Sequence, residues 1–417
     1  MHRMQTKMKV QELHIQNFRG IRTLDLQNAD PSMNVVVGVN GAGKTSFLDS
    51  LSFLLSWMIA RMKSSSAKGS LPAESDISIG AKSPCVLSLK TEDDICWTIG
   101  KAKSYSASSN TFKSDLSQMT MLADKIVCGI EDGGSVPVLM YYPVDRAIAA
   151  APVNLHKADP EIWDVYKEAL SGNANFRALF EWYRRQEDIE NEMIRDDASY
   201  RDRNLEAIRS AIKMFFPDFS EMRVRRRPRQ AIVITKEDEE MEFTQLSQGE
   251  KCYLSLVCDI ARRLAIANPK LKNPLEGEGI VLIDEIDLHL HPKWQSEVVS
   301  KLTTVFPNCQ FFLSTHSALV LSDVRRSQII PLCKGEMLYN SFDTYGKLSS
   351  SIMANYFDVS NQRNQKVAKQ INEAFDAVRE GNVEKFHELK ESLLQVTDMS
   401  DPDMTSLVIE ANRRGIR

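Results

Sequence analysis

The segment Gly38-Val-Asn-Gly-Ala-Gly43-Lys44-Thr45 has the residue types and order needed to hold a chain of phosphates. It fits GxxxxGK(S/T), follows a short apolar run and opens a helical one, which is the context this pattern requires. Glycines let backbone N–H groups curl around phosphate oxygens, and the helix N-terminus adds positive potential. Gly38, Asn40, Gly41, Ala42, Gly43 and Ser46 are therefore expected to form the cradle. Lys44 would reach the β and γ oxygens, and Thr45 would ligate Mg²⁺. Downstream, Gly279-Ile-Val-Leu-Ile-Asp284-Glu285 reads as a buried strand that delivers two carboxylates to a sheet edge. Asp284 suits the Mg²⁺ water shell. Glu285 suits a general base for the attacking water, since hydrolysis of this kind is mostly positioning plus charge stabilisation. Alone, that strand end is a weak signal; with the glycine-rich loop upstream it becomes a strong one.

The elements that must position these groups follow from periodicity. Strands are predicted at Val10 to Ile15, Val35 to Val39, Val86 to Leu89, Ile95 to Ile99, Val136 to Tyr142, Gly279 to Ile283 and Gln310 to Leu313. Shorter ones fall at Arg223 to Val224, Ile232 to Thr235 and Glu242 to Phe243. Helices are predicted from Thr45 to about Met62 and from Gly249 to Ala267. Between Pro160 and Phe216 the spacing turns helical with dense charge: Phe176, Phe180 and Tyr183 recur at i, i+4 and i+7, and Glu187 to Arg209 is almost wholly polar. Val367 to Arg379 and Val383 to Val396 are amphipathic, their apolar stripes being core or a docking face. The expected organisation is an N-terminal lobe over 1–154, a helical insertion over 155–219, a second lobe over 220–340 and a C-terminal helical region over 341–417.

Composition narrows the class. With 43% hydrophobic and 26% charged residues in 417, the chain matches soluble globular proteins. A net charge of −4 argues against a surface that coats nucleic acid. Seven scattered cysteines, an odd number without a CxxC pair, suggest neither disulfides nor zinc but reduced thiols in a cytoplasm. The polar N-terminus lacks a secretory h-region, and the apolar stretch Phe47 to Met62 is shorter than the ~20 residues of a membrane span. The densest basic run, Arg223-Val-Arg225-Arg226-Arg227-Pro-Arg229, reads as solvated or acid-paired arginine ahead of a DNA groove, because it holds no aromatic residue to stack bases.

Further motifs carry a family resemblance. Leu246-Ser247-Gln248-Gly249-Glu250-Lys251 precedes a helix and resembles the LSGGQ signature of ABC ATPases, in the LSxGEK form of SMC-like and RecF-like members. That resemblance implies ATP as substrate, and it implies that Ser247 and Gly249 touch ATP bound to another copy, so the working unit is a homodimer or higher even oligomer. His316 in Ser314-Thr-His-Ser317 looks like the switch histidine that senses the γ-phosphate, although a bare histidine at a strand end is more often an ordinary hydrogen-bonded one. Asp287-Leu-His289-Leu-His291-Pro292 resembles the D-loop; its HxH lacks a third ligand for a metal. Asn17-Phe-Arg19-Gly20 resembles the turn whose arginine approaches the nucleotide, with a solvated arginine equally open. Arg146 stands where a Q-loop glutamine is expected.

The implied fold is α/β: an ABC ATPase head with a P-loop parallel sheet core, an antiparallel β subdomain, a helical insertion and C-terminal helices. More particular stretches, Pro137 to Arg146, Phe180-Glu-Trp-Tyr183, Asp259 to Leu264 and Leu282 to Gln295, resemble the PtuA-type ATPases of Septu and retron antiphage systems. That family implies partners: an HNH-type nuclease similar to PtuB, and in retron settings a reverse transcriptase with its DNA–RNA product. The roughly 100 residues after His316 look too few and too helical for a Toprim nuclease, so nuclease activity is expected from elsewhere. The competing reading is a RecF- or SMC-like DNA repair or recombination clamp.

Overall fold

Runs that are apolar on both faces become inner strands of a parallel sheet, because only helices on both sides can cover them. The computed structural model describes residues 8–103, 112–131, 133–144, 161–170, 176–338, 342–357 and 363–416. It divides into two compact units, Met1–Ile352 and Met353–Arg417. In chain order the first part runs β1 (Val10–Phe18), β2 (Ile21–Leu26), β3 (Met33–Val37), α1 (Lys44–Lys63), β4 (Cys85–Thr91), β5 (Cys96–Lys101), α2 (Ser117–Glu131) and β6 (Val138–Tyr142). Next come α3 (Phe176–Asp196) and α4 (Arg203–Phe215), followed by β7 (Phe219–Arg225), β8 (Ala231–Lys236) and β9 (Glu239–Glu242). Then come α5 (Gln248–Ala267), β10 (Gly279–Ile283), α6 (Pro292–Gln295), α7 (Val298–Val305), β11 (Cys309–Thr315), α8 (Ala318–Leu321), β12 (Ile329–Cys333) and β13 (Glu336–Met337). The chain closes with α9 (Ser349–Tyr356), α10 (Gln365–Glu380), α11 (Val383–Leu394) and α12 (Pro402–Arg413).

The central sheet has the order β13-β12-β3-β11-β10-β6, parallel from β12 to β6, with β13 antiparallel at the edge. Two antiparallel sheets accompany it, β2-β1-β4-β5 and β7-β8-β9. Every residue of β3, β6, β10 and β11 is buried. Helix α1 lies against this core through Phe47, Leu48, Leu51 and Leu55, with the Phe47 ring 6.3 Å from that of Phe312. Trp97 of β5 is 1% exposed and donates its Nε1–H to the Leu54 carbonyl, which ties the antiparallel sheet to the same helix. Strand β12 is not marked by the sequence pattern because Pro331 interrupts a five-residue run; its ladder to β3 is nevertheless formed at Ile329, Ile330 and Pro331.

On α3 the aromatic spacing puts Phe180 and Tyr183 on the buried side, and the Tyr183 hydroxyl donates to the Met222 carbonyl at 2.6 Å. The polar run that follows conceals a buried network. Glu190 accepts two bonds from Arg209, at 2.9 and 2.7 Å, and one from the Asp202 amide, while Glu187 accepts from the Val224 amide and from Arg226. Asp202 caps α4, its carboxylate accepting from the Asn204 and Leu205 amides, each at 2.9 Å. Asp202→Ala is expected to lower stability by about 1–2 kcal/mol, read by urea unfolding, because two helix-end amides lose their acceptor. An unchanged urea midpoint would contradict this.

Within the second unit, α10, α11 and α12 enclose a small core of Ile371, Ala374, Phe386, Leu393, Met404 and Leu407. Arg363 braces it by pairing with Asp401 at 2.7 Å and with Asp403 at 2.7 Å. No helix among the described residues is long and apolar enough to cross a membrane.

Candidate functional site

The parallel register brings three strand ends to one edge. Val37 lies level with Thr315, and Ile283 with Leu313, so the loop after β3, the turn after β11 and the carboxylates after β10 share the carboxyl edge where α/β sheets bind ligands. Strand β11 stands between the other two. His316 therefore sits in order between the glycine-rich loop and Asp284.

The loop from Gly38 to Gly43 needs backbone forms that side chains disfavour: Gly41 and Gly43 have φ of 77° and 104°. Gly43 caps α1, and Lys44 and Thr45 open it. Lys44 is 7% exposed and its Nζ donates to the Gly38 carbonyl at 3.0 Å and the Val39 carbonyl at 3.3 Å. Burial lowers its pKa, opposed by Asp284, Glu285 and Asp287. The Thr45 hydroxyl donates to Asp284 Oδ2 at 2.7 Å, and the Ser314 hydroxyl donates to Asp284 Oδ1. These contacts join the loop, the carboxylate strand and the histidine strand. The Asp284 amide continues the ladder by donating to the Tyr142 carbonyl at 2.8 Å.

Glu285 occupies a left-handed turn, φ 46°, with its amide held by Ser314 Oγ at 2.8 Å. A non-glycine residue held there is a form that collects at functional sites. Asp287 anchors the opposite strand end, accepting from Thr315 Oγ1 at 2.6 Å and from the His316 amide at 3.2 Å. Burial, and then the Lys44 ammonium, push His316 below its ordinary value of 6.5 against the pull of Asp287, Glu285 and Asp284. Gln295 then clamps the turn, donating to the Asp287 and Leu290 carbonyls and accepting from Ser317 Oγ at 2.7 Å.

The turn from Ser247 to Gly249 packs against the segment that follows Glu285. Ser247 caps α5 in a reciprocal box with Glu250. A methyl group at Gly249 would meet the His289 carbonyl oxygen at 2.2 Å, so only glycine admits this approach of the Asp287–His291 segment. His289 reaches it through a left-handed φ of 64°, and His291 caps α6 by accepting from the Lys293 amide. Ser247, Gly249, His289, His291 and Trp294 line an open cavity of about 580 Å³. Its lining contains no residue of the glycine-rich loop and neither Asp284 nor Glu285.

Arg19 is not a solvated turn residue: it pairs with Asp76 at 2.9 Å and with Asp49 of α1, which also accepts the Tyr141 hydroxyl at 2.7 Å. Asp49 escaped sequence reasoning; its only trace was a lone carboxylate interrupting an apolar helix. Gln295 left no periodic trace at all. Four of the five arginines in the basic run are acid-paired, with Arg223 on Glu240, Arg225 and Arg229 on Glu242, and Arg226 on Glu187 and Asp188. Arg146 lies outside the described residues.

A parallel sheet carrying a P-loop, two acidic residues and a histidine on one edge, with a capped Ser–Gly signature turn packed against the segment after the acidic pair, defines the ABC ATPase head class. Residues 9–336 match the RecF/RecN/SMC N terminal domain, and the chain belongs to that family. It is 30% identical to the Retron Vc95 probable ATPase of Vibrio cholerae, across 84% of this chain and 79% of the relative. It is 27% identical to the Retron Ec83 probable ATPase of Escherichia coli, across 85% and 77%. A shorter stretch, 23% of this chain and 13% of the relative, is 40% identical to the Septu protein PtuA of Bacillus mycoides.

Proposed function

We propose that the chain binds and hydrolyses ATP as the regulatory subunit of a bacterial antiphage defence complex, closing head to head with a second copy and controlling a partner nuclease. The retron and Septu relatives support the setting. One observation carries the head-to-head reading: the cavity that Ser247 and Gly249 line excludes the chain's own P-loop and acidic pair. An anion-seeking helix N-terminus there has its phosphate supplied by another copy.

In this reading Lys44 and the loop amides from Gly38 to Ser46 hold the triphosphate. Thr45 Oγ1 and Asp284 Oδ2, 2.7 Å apart, are the hard oxygen donors that Mg²⁺ takes, and the ion would neutralise charge on the β and γ oxygens. Glu285 accepts the proton of the attacking water. His316 donates a hydrogen bond toward the γ-phosphate, and Ser247 with the Gly249 amide donates from the second copy. The partner is an HNH-type nuclease similar to PtuB, or in a retron setting a reverse transcriptase with its DNA–RNA product. The DNA-clamp alternative is the weaker reading, since four of the five arginines in the densest basic run pair with Glu240, Glu242, Glu187 and Asp188.

Mixing two inactive variants tests the composite site. Lys44→Ala lacks a working P-loop and Ser247→Arg a working signature turn; a mixed dimer keeps one complete site. An equal mixture should regain about a quarter of wild-type phosphate release, because half the dimers are mixed and each holds one site of two. A mixture as inactive as its components would overturn the head-to-head arrangement.

A further inference from the structure

We propose that Lys236 of β8 is a positioning residue for the Ser247–Gly249 turn, fixing the orientation in which that turn meets the phosphates of ATP held by a second copy. The inference rests on the reading of Ser247 and Gly249 given above.

The hydrogen bonds at the start of α5 leave little freedom. Ser247 Oγ accepts from the Glu250 amide at 3.3 Å, so its hydroxyl proton is directed away from the helix and available to an oxyanion. Glu250 Oε2 accepts from the Ser247 amide at 2.8 Å, closing the box from the other side. A capping carboxylate of this kind usually faces water. Here Glu250 is 8% exposed, and its second oxygen, Oε1, accepts from Lys236 Nζ at 2.7 Å.

Two consequences follow from that third contact. First, Glu250 cannot rotate without breaking either the lysine bond or the serine bond, so the turn has one orientation. Second, the carboxylate beside an incoming triphosphate is neutralised in place. Burial alone would raise the Glu250 pKa, yet Lys236 and Ser247 hold it below its ordinary value, so it stays ionised and committed to both partners. Other carboxylates, Glu237 and Asp218, lie near enough to pull on the lysine, and Asp218 also lines the cavity. Removing the ammonium would therefore leave a set of uncompensated negative charges beside a phosphate site. On the far side, the His289 carbonyl closes against Gly249, so the turn is gripped between β8 and the segment after Glu285.

Lys236 is 31% exposed at its side chain, so its replacement by Met removes the charge and donor at little cost to folding. Steady-state ATP hydrolysis by the full chain, with nucleotide affinity and melting temperature measured alongside, tests the proposal. Lys236→Met should lower kcat by roughly tenfold or more while affinity for a fluorescent ATP analogue stays within about twofold, because the P-loop is carried by another strand. Lys236→Arg should recover turnover to within about threefold of wild type, as a cation at that place restores the charge and the bond to Glu250 Oε1. Unchanged kcat in Lys236→Met, or failure of the arginine to recover it, would overturn the assignment. Ser247→Arg separates the two claims. If it turns over ATP at the wild-type rate, the signature reading itself fails; if it is inactive while Lys236→Met is normal, only the role of Lys236 falls.

Discussion

Replacing Glu285 by Gln is expected to lower ATP turnover by about 10²–10⁴-fold, the usual contribution of a positioned general base, while ATP affinity changes by less than about twofold. The amide keeps the shape of the carboxylate but cannot take a proton from water. Its backbone would stay in place, because the left-handed turn is fixed by the Ser314 hydroxyl and the position of Asp284 by Thr45 and the Tyr142 carbonyl. Phosphate release under steady state and equilibrium binding of a fluorescent ATP analogue give the two readouts. Because turnover stops after binding, the ATP-loaded dimer should accumulate and elute as the larger species in size-exclusion chromatography. Turnover within about threefold of wild type would remove Glu285 from the proposed chemistry.

The largest stability effect is expected at Asp259, which is 1% exposed at the centre of α5. Its carboxylate accepts from Arg262 at 2.6 Å, from Arg263 at 2.8 Å and from the Tyr142 hydroxyl at 2.8 Å. Arg263 also reaches the Val165 and Lys167 carbonyls. Asp259→Ala would leave two buried guanidiniums without their anion, at a cost of about 3–5 kcal/mol. Urea unfolding measures it, and a loss below about 1 kcal/mol would show that the surroundings can relax around the charges. The sign with pH is definite. Burial pushes the Asp259 carboxyl up, but Arg263 and Arg262 outweigh it and hold the pKa at about 2, below the ordinary 3.8. A depressed carboxylate stabilises the fold fully above its unfolded value and loses that contribution as pH falls through the folded one. The wild-type advantage over Asp259→Ala should therefore be constant above about pH 4 and shrink towards pH 2.

The same network has a structural reach. Tyr142 bonds Asp259 through its hydroxyl and Asp284 through its carbonyl, so helix α5, with the signature turn at its start, is tied to the strand end that carries the acidic pair. None of these partners is adjacent in sequence, and no spacing rule brings Tyr142, Asp259 and Asp284 together.

By itself the sequence determined what depends on neighbours along the chain: the P-loop from Gly38 to Thr45, the strand ending in Asp284 and Glu285, the Ser247–Glu250 cap and the helices on either side. Each of these is a local backbone form with a local residue pattern, so a few consecutive residues suffice to specify it. Only the tertiary structure decided that β11 stands between β3 and β10 and so places His316 between the glycine-rich loop and Asp284. It also decided that Arg19 is held by Asp49 and Asp76, that Arg223, Arg225, Arg226 and Arg229 pair with carboxylates, and that Pro331 sits in a strand of the main sheet. Charge pairing and strand order are long-range choices. They depend on which surfaces meet when the chain closes, and one-dimensional spacing carries almost no record of that.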